Sequence, residues 1–315
     1  MALAVLKPAW MNWKQLKTAG HWPTLVSAFL YFDFSFMVWT VLGVLANQIA
    51  APESLNLTAQ QRFFMVSVPI LVGGVLRVVL GLLVDWIGAK RTGCIAQCIV
   101  ITGLATAWIA GIKSFEAILL MGVILGVAGA SFAVAVPQAG RSYPPQMQGL
   151  VMGLAGAGNI GVVIDSLLAP RLAAIYGWEA VFGFALFPAI FVLVIYLVFS
   201  REPEAKLPRK RVADYVRLFG DRDLHWFCFF YTVSFGGFVG LAYSLGMLFK
   251  DRFGVSASGA GDLVALCTAI GTLARPIGGA ISDRIGGIRS LHVYYSIACA
   301  AMLLGGATQN MAVTV

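Results

Sequence analysis

Residues 73–91, GGVLRVVLGLLVDWIGAKR, set one arginine, Arg77, inside a long apolar run and end in the pattern Gly81-x-x-x-Asp85-x-x-Gly88-x-Lys90-Arg91. The pattern returns at residues 271–289, GTLARPIGGAISDRIGGIR. There Arg275, Gly279, Asp283 and Gly286 each lie 198 positions after Arg77, Gly81, Asp85 and Gly88. A repeat that keeps a charge within an apolar run, two glycines and an aspartate at the run's edge predicts two related halves. Each half gives one arginine to a shared interior.

Outward from these two stretches the chain is apolar almost throughout. A hydrophobic fraction of 59% with only 11% charged residues, and a mean hydropathy of +0.85, lie far from soluble-domain averages and predict a polytopic membrane protein. Nine runs near 24–49, 62–86, 92–111, 115–137, 147–170, 178–199, 224–249, 258–283 and 290–311 are each long enough for a ~30 Å hydrocarbon core. The start, MALAVLKPAWMNWKQLK, has no compact basic-then-apolar segment with a small-residue cleavage site, so no removable signal is expected.

Nine spans put the termini on opposite sides. With the N-terminus cytoplasmic, Lys7, Lys14, Lys17, Lys90, Arg91, Arg141, Arg201, Lys206, Arg209, Lys210, Arg211, Arg217, Arg222, Arg284 and Arg289 are cytoplasmic. Arg62, Lys113, Arg171, Lys250 and Arg252 lie outside. Fifteen against five, with Arg77 and Arg275 left in the membrane, accounts for all 22 basic residues and sets the orientation. The net charge of +8 is therefore a topology signal, and the short loops that carry it exclude nucleic-acid binding. The five cysteines fall in or beside apolar runs, and Cys94 and Cys98, one turn apart, lack a further ligand at metal-binding spacing.

Several polar residues inside the runs are candidates for function. Asp33, about nine residues or ~14 Å into the first span, reads either as a proton-titrating group or partner of a buried arginine, or as a structural aspartate bonded to a neighbouring helix. Arg77 and Arg275 each stand eight residues before their aspartates, near the bilayer midplane. Their alternatives are coordination of an anion and a structural ion pair, for which only Asp33 and Asp165 lie well inside spans. Gly122, Gly126 and Gly129 in the fourth run, and Gly153, Gly156, Gly158 and Gly161 around Asn159 in the fifth, let helices or a small ligand approach closely. The segment from Gly156 to Gly161 also fits G-x-G-x-x-G, with Glu179 downstream, but no strand precedes it, so no nucleotide crevice is expected. Residues 201–223 form the one long polar segment, a basic cytoplasmic linker with an amphipathic helix expected near 212–219. His21, His225 and His292 lie near span ends with no nucleophile–base or haem-ligand grouping, so an enzyme is not expected and no cofactor is implied.

Six spans, a basic linker, and spans that restart with the same loop resemble the major facilitator superfamily, although Trp86 stands where its loop usually has an arginine. Within it the chain resembles the nitrate/nitrite porter family (NarK/NasA-like). The shared features are an arginine in the second and eighth spans, AGAGNIG at 155–161 in the fifth, and GASFA in the fourth. The resemblance implies an all-α bundle with an N-terminal six-helix half over 1–200, a linker over 201–223, and the first three helices of a second half over 224–315. Because members have twelve spans or more, it also implies a C-terminally incomplete copy.

By the same resemblance Arg77 and Arg275 would clamp nitrate or nitrite, Asn159 would hydrogen-bond it, and Phe132 and Tyr231 would line the site beside Gly156, Gly158 and Gly161. Asp33, Asp85, Asp283 and Arg284 would serve coupling and gating. The expected partners are the anion, membrane lipid and, if coupling is by symport, protons; the chain is expected to act as a monomer in the cytoplasmic membrane. Two guanidinium groups ~8 Å apart repel by about 2 kcal/mol at an effective dielectric of ~20, and a planar anion between their forks relieves that repulsion. The alternatives are transport of another small anion such as oxalate, and a nitrate-binding sensor.

Overall fold

The computed structural model describes residues 13–202, 212–255, 257–308 and 310. Most of the basic run of the linker, with Lys206, Arg209, Lys210 and Arg211, lies outside the described residues, as does Lys7. Among the described residues every regular element is helical, and nine helical stretches are long and apolar enough to cross a membrane.

A short helix α1 (Trp13–Ala19) leads into α2 (Trp22–Val44), the first span, followed by the single turn α3 (Ala46–Ile49). The second and third spans are α4 (Ala59–Ile87) and α5 (Ala89–Ala110). The fourth is divided into α6 (Phe115–Gly129) and α7 (Phe132–Arg141), and the fifth into α8 (Gln148–Gly156), a 3-10 segment (Ala157–Ile160) and α9 (Gly161–Tyr176). α10 (Trp178–Phe199) completes the first six. Then come α11 (Val212–Leu218), at the position expected for the amphipathic linker helix, and α12 (Arg222–Tyr231). A π-helical turn (Thr232–Gly236) joins α12 to α13 (Gly237–Phe253), and α14 (Ala257–Ile285) and α15 (Gly287–Ala307) follow.

The span count agrees with the hydropathy reading, but three of the runs that read as continuous helices are interrupted. Glycine explains the fourth and fifth: with no β-carbon it weakens helix propensity by ~1 kcal/mol relative to alanine, and Gly126, Gly129, Gly156, Gly158 and Gly161 cluster at the breaks. The 198-residue repeat is also visible in backbone geometry. Gly88 ends α4 at φ +93° and Gly286 ends α14 at φ +87°, a conformation that side-chain-bearing residues avoid. Each lets the next helix begin within one residue.

The core sits around α2, where 67% of the most apolar window is buried, against 0% for the seventh span, Arg222–Leu241. Phe32, Leu42 and Tyr196 are fully enclosed, whereas Phe187, Leu71 and Ile297 stand exposed, as lipid-facing side chains do. α14 lies along α8 and α9, so Arg275 meets the broken fifth span directly.

Candidate functional site

Each intramembrane arginine is held by a carbonyl at the end of a broken helix. Arg77 on α4 donates from Nε to the Gly129 carbonyl at 3.3 Å, where α6 stops, and its Nη1 lies 3.4 Å from the Tyr231 hydroxyl. Arg275 on α14 donates from Nη1 to the Gly156 carbonyl at 2.9 Å, where α8 stops. The last carbonyls of a helix have no intrahelical partner, so a guanidinium inside the membrane finds an acceptor without a carboxylate. Asn159, wholly buried in the 3-10 segment, turns its amide oxygen to the same guanidinium. In that orientation it accepts from Nη1 at 2.8 Å and Nη2 at 2.6 Å.

Aromatic faces complete the surroundings. The Arg77 guanidinium carbon lies 4.5 Å from the Phe235 ring centre, 5.7 Å from Trp39 and 5.9 Å from Phe132; that of Arg275 lies 5.4 Å from Phe238. Stacking of this kind favours a desolvated cation by ~0.5–2 kcal/mol. Tyr231 stacks on Phe235 with centroids 5.3 Å apart and stands 6.2 Å from Phe132. The π-helical turn that follows Tyr231 carries Phe235 to Arg77, which accords with the frequency of such turns at functional sites.

Among the described residues neither arginine lies within ion-pair distance of a carboxylate, so the structural ion pair weighed as an alternative is not made. Arg77 Nη2 is buried with no hydrogen-bond partner. Two half-buried cations, one with an unused donor, stand in an aromatic enclosure, an arrangement that attracts small anions.

Arg77, Arg275, Asn159, Phe132, Tyr231 and Gly156 are thus brought together. Gly158 and Gly161 are not in contact with the arginines: a β-carbon on either would strike α2, at Phe32 and Asp33 or at Asp33 and Met37. They serve the approach of the α2 and α9 backbones. Asp33 lies apart from the arginines. Phe32, Phe36 and Trp39 form the stripe of α2 that faces the aromatic cluster, and Asp33, about 100° round the helix from Phe32, opens instead into a cavity between α2, α9 and α10. It pairs with neither arginine. Trp39, Phe235 and Phe238 were missed, since an aromatic residue in an apolar run carries no mark of its own.

The loop aspartates differ from each other. Asp85 is bridged to Arg141 at 3.1 Å and accepts from the Tyr215 hydroxyl of α11 at 2.8 Å. Asp283 crosses from α14 to the start of α8, accepting from the backbone N–H of Gly149 and of Leu150, both at 2.8 Å. Arg284 beside it is exposed.

Known proteins resemble this chain over most of its length. The family profile described as Major Facilitator Superfamily matches residues 24–314. A probable nitrate transporter, NarT, of Staphylococcus carnosus (strain TM300) is 30% identical over 89% of this chain and 71% of its own length. A nitrite extrusion protein of Bacillus subtilis (strain 168) is 28% identical over 81% of this chain and 64% of its own. Among solved structures, the human organic anion transporter MFSD10 (TETRAN) superimposes with a TM-score of 0.70 at 19% identity, covering 93% of this chain and 80% of that one. At that identity the likeness shows the fold.

Proposed function

This chain belongs to the major facilitator superfamily, in its nitrate/nitrite porter family, and from that premise we propose that it moves nitrate, nitrite or both across the cytoplasmic membrane by alternating access. The anion is gripped between Arg77 and Arg275. The observation that carries this reading is the pair of half-buried guanidinium groups with no carboxylate at ion-pair distance among the described residues, one of them with an enclosed donor that has no hydrogen-bond partner. A planar oxyanion matches two planar forks better than a sphere does. Oriented with its N-terminus cytoplasmic, the protein works as a monomer whose six-helix half and linker precede the helices that supply Tyr231 and Arg275, and it carries out no enzymatic chemistry.

The test is counterflow of labelled nitrate into proteoliposomes loaded with nitrite. Accumulation above equilibrium is expected. Binding without accumulation would indicate a sensor, and accumulation of oxalate but not nitrate would transfer the reading to another small anion.

Gating is assigned to Asp283. Its carboxylate ties the cytoplasmic end of α14 to the N-terminus of α8, where an anion is favoured by the helix dipole as well as by the hydrogen bonds. Loss of such a cap costs ~1 kcal/mol. Asp283→Ala should therefore shift the conformational balance about fivefold toward the state open to the cytoplasm, read as a wider distance between spin labels on the cytoplasmic ends of α8 and α14. Turnover should change more than nitrate affinity; the reverse pattern would remove Asp283 from gating and place it in binding.

A further inference from the structure

The cavity between α2, α9 and α10 has a volume of about 400 Å³ and shares no lining residue with the arginine site. Its walls are apolar except for Asp33 and Asp165. Asp165 is 4% exposed and accepts on Oδ2 from the Thr40 hydroxyl at 3.0 Å. Asp33 is half-buried, and its Oδ1 is enclosed without a hydrogen-bond partner. Asp33 lies opposite Gly161, and Asp165 follows four residues later, ~6 Å of helical rise further along α9.

Among the described residues no basic side chain faces the pair. The cavity-lining residues of α10 are all apolar. On α9 the one cation, Arg171, points to Asp262 of α14 at 3.9 Å. Arg275 of α14 is occupied by Gly156 and Asn159, and Arg77 of α4 by Gly129 and Tyr231. Glu116, the acid of α6, stands in that helix's first turn; the 3-10 segment and α8 carry no ionisable side chain. Among the described residues no group of three or more His, Cys, Asp or Glu side chains is gathered to hold a metal ion. An ionised carboxylate so placed requires a cation or a proton.

We propose that Asp33 and Asp165 form a proton-carrying pair beside the anion site, coupled to it through the 3-10 segment Ala157–Ile160. One face of that segment and its flanks rests on α2, with Gly158 and Gly161 against the backbone of Asp33; the other holds Arg275 through Asn159. A change in charge at Asp33 therefore acts on the segment that positions the anion-binding guanidinium. The transporter would be a nitrate–proton symporter, an inference that rests on the anion reading above.

In proteoliposomes an inward proton gradient should raise nitrate uptake by the wild-type protein at least fivefold. Asp33→Asn and Asp165→Asn should each abolish that stimulation while nitrate/nitrite counterflow at equal pH stays within threefold of wild type. Stimulation that survives in both variants, or is absent in a wild type that performs counterflow, overturns the pair. Counterflow itself tests the anion reading separately.

A second measurement needs no nitrate. As pH falls, wild-type protein should gain the infrared carbonyl band of a protonated carboxylic acid, and the double Asn variant should lose more than half of it. If the Asn variants fail to insert, Asp33→Glu and Asp165→Glu retain the acid and should shift the pH at which the band grows. A wild type without the band, or Glu variants that leave its pH unmoved, would overturn the proposal.

Discussion

Arg77→Lys and Arg275→Lys should each weaken nitrate binding at least tenfold. Both keep a positive charge at the same depth, so they separate geometry from charge. Arg77 spends Nε on the Gly129 carbonyl and Nη1 toward Tyr231, leaving Nη2 free for the anion. A lysine ammonium is a single centre and cannot serve three directions that far apart. Arg275 divides its donors between Gly156 and Asn159, and a lysine would leave one of those acceptors bare. A hydrogen bond to a charged group is worth about 1.5–3 kcal/mol, and ~1.4 kcal/mol is a factor of ten. The double variant should lose less than the sum of the two single losses, because both side chains act on one anion. Equilibrium binding of nitrate to purified protein, with the yield of monodisperse protein as the folding control, decides the matter. Wild-type affinity in either single variant would show that the arginines only brace the broken helices.

The position of the arginines along their helices was legible in the sequence because the 198-residue repeat places each eight residues before an aspartate near a helix end, and rise along a helix is linear in residue number. What holds them was not. The Gly129 and Gly156 carbonyls become acceptors only where α6 and α8 stop. An apolar, glycine-rich run looks the same whether it continues or breaks, and the partner of a carbonyl on another helix leaves no trace in local spacing. Direction around a helix was hidden for a related reason. α2 is apolar on every side, so no polar face indicates which stripe meets the centre. Asp33 could be placed in depth but not in azimuth, and its turn toward Asp165 and α10 emerges only from packing. The signature glycines behaved likewise: their spacing showed a close approach, while which surface approached was set by α2.

Gly161→Ala should disrupt the protein far more than Gly156→Ala, although both replace a glycine in the same short signature. By helix propensity alone either change would stabilise by ~1 kcal/mol. At Gly161 a β-carbon would stand 2.1 Å from the Asp33 carbonyl oxygen and 3.1 Å from the Met37 nitrogen, both backbone atoms. Such atoms move only if α2 and α9 separate. Over-packing of that kind costs at least ~1–3 kcal/mol, and here the whole interface between the two helices must give, so the clash outweighs the propensity. At Gly156 the nearest atom is Arg275 Nη1 at 3.8 Å, an ordinary contact, so folding should be unaffected or slightly improved. Gly156→Ala should instead act on nitrate, by setting a methyl group in van der Waals contact with the Arg275 guanidinium. Thermal unfolding of the detergent-solubilised variants followed by size-exclusion chromatography, together with nitrate binding, separates the two effects: Gly161→Ala should lower the melting temperature or abolish recovery, and Gly156→Ala should change affinity at unchanged melting temperature. A Gly161→Ala protein as stable as wild type would mean that α2 and α9 do not meet at Asp33, and would remove the path by which the proton pair reaches Arg275.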